Sequence, residues 1–354
     1  MATADRRRVE ELVGVLEREH DLDPEGLIYL LTVPEAEPLR RAADRVRAKY
    51  VGPEVHLRGL IEFSNYCRGS CYYCGLRAAN RGIRRYRMTP EEIIAAARRA
   101  AALGLKTIVL QSGEDLWYTE KVLCAIIGAI KDLDVAVTLS IGERPKSFYA
   151  ALKRAGADRF LLRIETSNEE LYTRLHPGMS FQNRVRCLYD LKELGYETGT
   201  GCLIGLPGQT PAMLAADLLF FKKLEADMIG MGPFLPAPGT PLAEAKGGEV
   251  EPVLRMMALA RLLLPAINMP ATTALSVKDD DGHQKGLSWG ANVIMPNMGL
   301  SEYKRLYAIY PGKKDIPPAE QLAKIKALLD RMGRVVGRGY GGARGWRTGR
   351  AWDE

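Results

Sequence analysis

Residues 55–74 read VHLRGLIEFSNYCRGSCYYC: an apolar run of strand length that opens into a loop carrying Cys67, Cys71 and Cys74 within eight positions. The run 55–63 predicts a β-strand, because Val, Leu, Ile and Phe dominate it and small polar residues end it. The cysteine spacing predicts an open iron–sulfur site. A cubane [4Fe–4S] cluster held by four thiolates is coordinatively closed, whereas three thiolates from one loop leave an iron free for an outside ligand. Two other readings compete. A structural zinc ion takes four ligands, usually as two pairs; no second pair lies close in sequence, and His56 would have to complete a Cys3His set. A disulfide framework does not suit six cysteines in 354 residues without an apolar leader. A reduced, cytoplasmic protein is the expectation.

Working outward from this stretch, short β-branched runs alternate with amphipathic helical ones. Strands are expected at 55–63, 107–112, 136–142, 158–166, 198–206, 228–235, 270–277 and 291–296. Between the first two, Thr89, Pro90, Glu91 and Glu92 form a helix-start signal: a cap, a proline at the first position and two acids at the positive end of the dipole. Eight strands, each followed by a helix or a long connection, make an α/β chain with a (β/α)8 TIM barrel, the cysteine loop lying at the catalytic rim. Residues 1–50 read as an N-terminal helical extension over the bottom or flank of the barrel, and 51–354 as the barrel with a C-terminal helix and basic tail. With 47% hydrophobic and 26% charged residues, the chain has material for a full core. No apolar run is long enough to span a bilayer. The net charge of +7 is modest, and its excess gathers between Arg331 and Arg350, read as a solvated tail or docking surface in preference to a nucleic-acid site.

Cys-x3-Cys-x2-Cys with Tyr73 before the last cysteine resembles the radical S-adenosylmethionine superfamily. The resemblance implies that the open iron chelates the amine and carboxylate of S-adenosyl-L-methionine and that an electron from the cluster breaks its C–S5′ bond, releasing a 5′-deoxyadenosyl radical. Gln111-Ser112-Gly113-Glu114-Asp115, after the second strand, stands where the superfamily carries a Gly-Gly-Glu element for the methionine ammonium, with Ser112 replacing the first glycine. An ordinary polar turn is the alternative. Arg163 and Glu165 are two apart on the fourth strand and share a face. Ionisable side chains in a barrel mouth must pair or meet a ligand, and a zwitterion such as S-adenosylmethionine offers both signs; a structural ion pair is the alternative. Arg184 is a second candidate carboxylate clamp, against a solvated arginine at a helix start. Gly201 to Gly208 resembles the glycine-rich element that packs against adenine.

Longer stretches resemble the HydE family of [FeFe]-hydrogenase maturases: Ile61 to Asn65, Tyr73 to Arg77, Arg85 to Glu92, Val109 to Asp115, Gly205 to Thr210, Gly232 to Phe234, Pro270 to Ala274 and Gly290 to Asn297. This resemblance implies a closed barrel with a long internal cavity, the cluster and cofactor at its top, and a role in building the di-iron subcluster of the hydrogenase. The implied substrate is a cysteine-ligated iron carbonyl cyanide whose sulfur the adenosyl radical attacks. The implied partners are a tyrosine-lyase maturase that delivers it, a GTPase scaffold maturase that receives the product, and an external electron donor. Carried over by position, Cys67, Cys71 and Cys74 hold the one cluster; Arg163, Glu165, Arg184 and Tyr307 contact the cofactor, and Met228 and Met295 pack near it. Thr138, Ser140, Thr272 and Thr273 match a hydroxyl-lined substrate or anion site deeper in the barrel. Two departures stand out: Tyr310 to Glu320 lacks the cysteines that hold a second cluster in some relatives, and Ile164 stands where some place histidine.

The alternatives are a methylornithine synthase-like mutase acting on lysine, another thiol-directed radical enzyme, a biotin synthase, whose second cluster lacks ligands here, and a non-catalytic zinc or cluster protein. The ends of strands two, three and seven carry hydroxyls and no basic or acidic anchor, with Arg163 the only nearby cation. That favours a small anionic thiolate complex over lysine.

Overall fold

The computed structural model describes residues 2–343. Three helices come first, α1 (Ala2–Glu19), α2 (Pro24–Thr32) and α3 (Glu37–Tyr50). Then follow β1 (Glu54–Ser64), α4 (Pro90–Ala102), β2 (Thr107–Ser112), α5 (Glu120–Lys131), β3 (Ala136–Ser140), α6 (Lys146–Arg154) and β4 (Arg159–Leu161). The middle holds α7 (Glu169–Leu175), α8 (Phe181–Glu193), β5 (Glu197–Thr200), β6 (Leu203–Ile204), α9 (Pro211–Lys223), β7 (Met228–Ile229), β8 (Gly232–Pro233) and α10 (Val250–Leu263). The chain continues through α11 (Thr273–Lys278), α12 (Gly282–Ser288), β9 (Val293–Ile294), α13 (Ser301–Leu306), α14 (Pro318–Arg331) and β10 (Val335–Val336).

β1, β2, β3, β4, β5 and β7 pair in that order, all parallel. The ring closes through residues 268–270: Met228 bridges Asn268, Pro270 bridges Val293, and β9 pairs back onto β1. This is the expected barrel of eight staves, and parallel pairing puts every strand C-terminus on one rim. The start of α4 matches its sequence signal, with Thr89 Oγ1 accepting from Glu92 N and the Glu92 carboxylate accepting from Thr89 N at 2.7 Å. Such a capping box contributes about 1 kcal/mol.

The seventh stave corrects the reading of 270–277 as a strand. Only Pro270 bridges, and it has no N–H to continue a ladder; from Thr273 the chain turns helical as α11, with Thr272 at its cap. The N-terminal helices flank the barrel. α3 packs on α10 and α2 on α9, and Arg255 of α10 donates to the Leu30 carbonyl at 3.1 Å.

The bottom is closed by the chain's own C-terminal segment. Arg58, Arg159, Glu197 and Asn268, all near strand starts, are buried there. Arg159 donates to Glu197 Oε2 at 2.6 Å and to the Tyr340 carbonyl at 2.8 Å, while Arg58 and Asn268 both donate to the Gly341 carbonyl, at 2.9 and 3.0 Å. Residues 335–343 are therefore a plug, which corrects the reading of this part of the basic run as a solvated tail. The run beyond 343 lies outside the described residues.

Candidate active site

The three cysteines are free thiols lining one cavity of about 370 Å³ at the C-terminal rim. Their loop is fixed from several sides. Tyr66 N donates to Ser64 Oγ and Asn65 Nδ2 donates to the Arg84 and Leu306 carbonyls. Arg85 donates to the carbonyls of Asn65, Leu76, Arg77 and Asn80. Burial raises all three thiols, Cys74 up to about 12, and for Cys71 the neighbouring sulfurs push in the same direction. Gathering three thiolates here thus calls for a strong cationic partner, the condition an iron–sulfur cluster meets. Among the described residues no three His, Cys, Asp or Glu side chains stand close enough for a single metal ion, whereas a cubane uses each sulfur on a different iron. His56 cannot complete a zinc site. It sits against the plug, where a Cβ on Gly337 would come within 2.3 Å of its ring, and it lies at the start of a strand whose far end carries the loop, about 26 Å away at 3.3 Å per residue. Burial holds its pKa down to about 4.

Ser112, Gly113 and Glu114 meet the cysteine loop directly. Glu114 N donates to Cys67 Sγ at 3.4 Å and Arg68 N donates to the Glu114 carbonyl. Position 113 admits only glycine, because a Cβ would stand 2.2 Å from the Tyr66 carbonyl oxygen. Ser112 Oγ donates to its neighbour's carbonyl at 2.6 Å. Glu114 belongs to a chain of alternating charge. Arg68 Nε donates to its Oε2 at 2.9 Å, Arg184 Nη2 lies 3.5 Å from its Oε1, and Arg184 Nε donates to Glu143 Oε1 at 2.7 Å. Arg184 is therefore buried and committed to two carboxylates, not solvated. Burial opposes its charge, but Tyr172, Glu143 and Glu114 outweigh burial and keep it above the usual arginine range.

Arg163 and Glu165 face the cavity as a pair, Arg163 Nη2 lying 3.1 Å from Glu165 Oε2 and donating to the Cys202 carbonyl at 2.6 Å. Both keep unused capacity, since Arg163 Nε is buried without a hydrogen-bond partner and Glu165 Oε2 has no contact beyond its ion pair with Arg163. Glu165 also adopts φ 66°, a left-handed conformation costly for a residue with a side chain. Burial raises its pKa, against the opposing pull of Arg163 and Arg184. Tyr73 donates its hydroxyl to His176 Nε2 at 2.7 Å, because His176 Nδ1 is engaged with the Tyr172 carbonyl at 2.7 Å.

The structure separates the remaining expected residues. Ser140, Thr272, Thr273 and Met295 line the main cavity. Thr138 and Met228 lie lower, around a second space of about 30 Å³ that shares Leu161, Gly230, Pro270 and Met295 with the first. Met228 Sδ accepts from Arg58 Nη1 at 2.8 Å. Tyr307 is fully buried behind the wall, its hydroxyl accepting from Gln111 at 3.3 Å.

Sequence reasoning missed three groups. Glu62, on β1, accepts from Lys313 at 2.5 Å and from Asn297 at 2.8 Å; an acid inside an apolar strand was its available signal. Glu143 had none beyond following a strand, and His176 lay in an ordinary turn. Lys313 arrives from the segment after α13, with Lys304, Arg305 and Lys314 beside it on the lining. This corrects the expectation that Arg163 is the only nearby cation. Glu62, Glu165 and Asp315 line the cavity as well, so the lining alone does not exclude a lysine substrate.

Residues 61–221 match the model of the Radical SAM superfamily. The chain is 52% identical over 308 residues to the [FeFe] hydrogenase maturase subunit HydE of Thermotoga maritima, covering 86% of this chain and 88% of that protein. It is 32% identical to 3-methylornithine synthase of Methanosarcina acetivorans, over 83% and 84% of the two chains. A solved methylornithine synthase structure superposes with a TM-score of 0.80 at 27% identity, covering 92% of this chain and 97% of the other.

Proposed function

The chain belongs to the radical S-adenosylmethionine superfamily and within it to the family of the maturase subunit HydE, and on that footing we propose that it is an enzyme of [FeFe]-hydrogenase maturation. The family uses a [4Fe–4S] cluster and S-adenosyl-L-methionine. When bound, these supply an electron and a 5′-deoxyadenosyl radical. The chain's own residues do the rest. Cys67, Cys71 and Cys74 give three thiolates and leave a coordination position for the cofactor. Arg163 and Glu165, with their unused donor and acceptor, take its carboxylate and its ammonium or ribose; Ser112, Gly113 and Glu114 border the same place, and Arg184 holds Glu114. Tyr73, anchored on His176, backs the cofactor pocket. Met295 and Met228 pack near the cofactor, with Tyr307 behind them, and Ser140, Thr272 and Thr273, with Thr138 below, form the substrate end.

The substrate in this proposal is a small sulfur-bearing organometallic molecule, a cysteine-ligated iron carbonyl cyanide, attacked at sulfur. A tyrosine-lyase maturase supplies it, a GTPase scaffold maturase takes the product, and the setting is the cytoplasm. No described helix is long and apolar enough to cross a membrane. The observation that carries the reading is the 52% identity across 86% of the chain, with the three cysteines on one cavity. A lysine mutase is the second reading, favoured by the carboxylates of Glu62 and Glu165 on the lining, which could receive an ammonium; Glu62 is already paired with Lys313.

The test is a cell-free maturation of apo-hydrogenase in which this chain replaces the HydE component. Hydrogen evolution is expected with the intact chain and none with Cys71→Ala. An inactive hydrogenase alongside fully cluster-loaded, cofactor-cleaving chain sinks the maturation proposal.

A further inference from the structure

The loop that carries the cysteines also carries charge that the cavity does not use. From Tyr66 to Pro90 there are six arginines and no aspartate or glutamate. Four are spent within the fold: Arg68 on Glu114, Arg87 on Asp115, and Arg77 and Arg85 on loop carbonyls. Arg81 and Arg84 are exposed, and among the described residues their guanidinium groups have no hydrogen-bond or ion-pair partner. A cation-rich surface without counter-charges repels itself, so an external acidic surface is its natural complement.

A second feature borders the same loop. Leu116 and Trp117 are 58% and 53% exposed, among the few large apolar side chains left in water. They follow Glu114, whose N–H donates to Cys67 Sγ. Arg87 ties Trp117 to the loop, its guanidinium 3.7 Å from the ring centre of Tyr66 and 5.6 Å from that of Trp117. Tryptophan and arginine side by side on a surface are the composition of a protein-docking patch.

We propose that this face, Arg81 and Arg84 with Leu116 and Trp117, seats an acidic one-electron carrier protein that reduces the cluster. The choice of occupant rests on charge and position. Asn65, two positions before Cys67, donates to the Arg84 carbonyl at 2.8 Å, and Trp117 follows Glu114, whose N–H donates to Cys67 Sγ at 3.4 Å, so both halves of the patch border the cysteine loop. It is not the substrate's door: none of its four residues lines the cavity, whereas Lys304, Arg305 and Lys314 do. The carrier gives up one electron and is oxidised by one; the group held by the three cysteines gains that electron, and no bond or proton changes hands. The inference rests on the cluster reading of Cys67, Cys71 and Cys74.

The test uses the full, reconstituted chain and flavodoxin hydroquinone as the carrier, with cluster reduction followed by stopped-flow absorbance and electron paramagnetic resonance, and association measured by calorimetry. The double variant Arg81→Glu, Arg84→Glu should reduce at least about tenfold more slowly with flavodoxin at low salt, the difference closing near about 0.5 M salt. Arg81→Lys, Arg84→Lys should keep the rate, and Trp117→Ala should weaken the complex several-fold. With dithionite, a small reductant that needs no docking, all variants should match the parent. An unchanged flavodoxin rate in the iron-loaded double Glu variant, or an equal loss with dithionite, overturns the proposal. A parent protein that holds no iron overturns the cluster reading beneath it.

Discussion

Replacing any one of Cys67, Cys71 and Cys74 by alanine abolishes cluster assembly. After anaerobic reconstitution the parent should carry about four irons and four sulfides per chain, as one cubane requires, and each variant fewer than about one. Two thiolates cannot hold three irons. Alanine at Cys124, Cys187 or Cys202 should leave the iron content unchanged. Cys124 lies on α5, and Cys187 and Cys202 are buried away from the cavity lining. About eight irons in the parent would mean a second cluster and would defeat the single-cluster account.

Arg184→Met has the next largest effect, and it appears first in stability. Arg184, Glu114 and Glu143 are 8%, 7% and 4% exposed, and the arginine is the buried cation that ion-pairs with both carboxylates, their other shared partner Arg68 being half in solvent. Breaking such a pair strands a charge and costs about 3–5 kcal/mol, most of which reflects the orphaned partner. Denaturant unfolding of the cluster-free protein measures it. Combining Arg184→Met with Glu143→Gln should recover part of the loss, because the stranded carboxylate is gone. A loss below about 1 kcal/mol would show the network to be solvated and of little consequence.

Why some features could be read from the chain and others could not follows from range. β2 was readable to the residue, since Thr107 to Ser112 is a compact β-branched run, and α4 because Thr89, Pro90 and Glu92 act within four positions. The expected strand 198–206 is in fact split into β5 and β6 at Gly201, where a Cβ would stand 1.8 Å from the Gly230 carbonyl oxygen; the neighbouring backbone dictates that break. Stretch 270–277 misled because threonine and alanine serve a cap and a short helix as well as a strand. The cysteines were legible because their chemistry is set by local spacing. The partners that shape the cavity are not local: Glu62 meets Lys313 across 251 positions, Arg184 meets Glu143 across 41, and Tyr73 meets His176 across 103. No pattern within one segment announces such pairs.

The destination of the adenosyl radical separates a sulfur-directed maturase from a lysine mutase. The reconstituted enzyme, supplied with reductant and S-adenosylmethionine, is incubated in parallel with lysine and with a cysteine-derived thioether or iron–cysteine complex, and the products are separated by mass. A sulfur-linked adenosyl product, or substrate-dependent 5′-deoxyadenosine, with the cysteine-derived compounds alone is the predicted result. Methylornithine formed from lysine would contradict it.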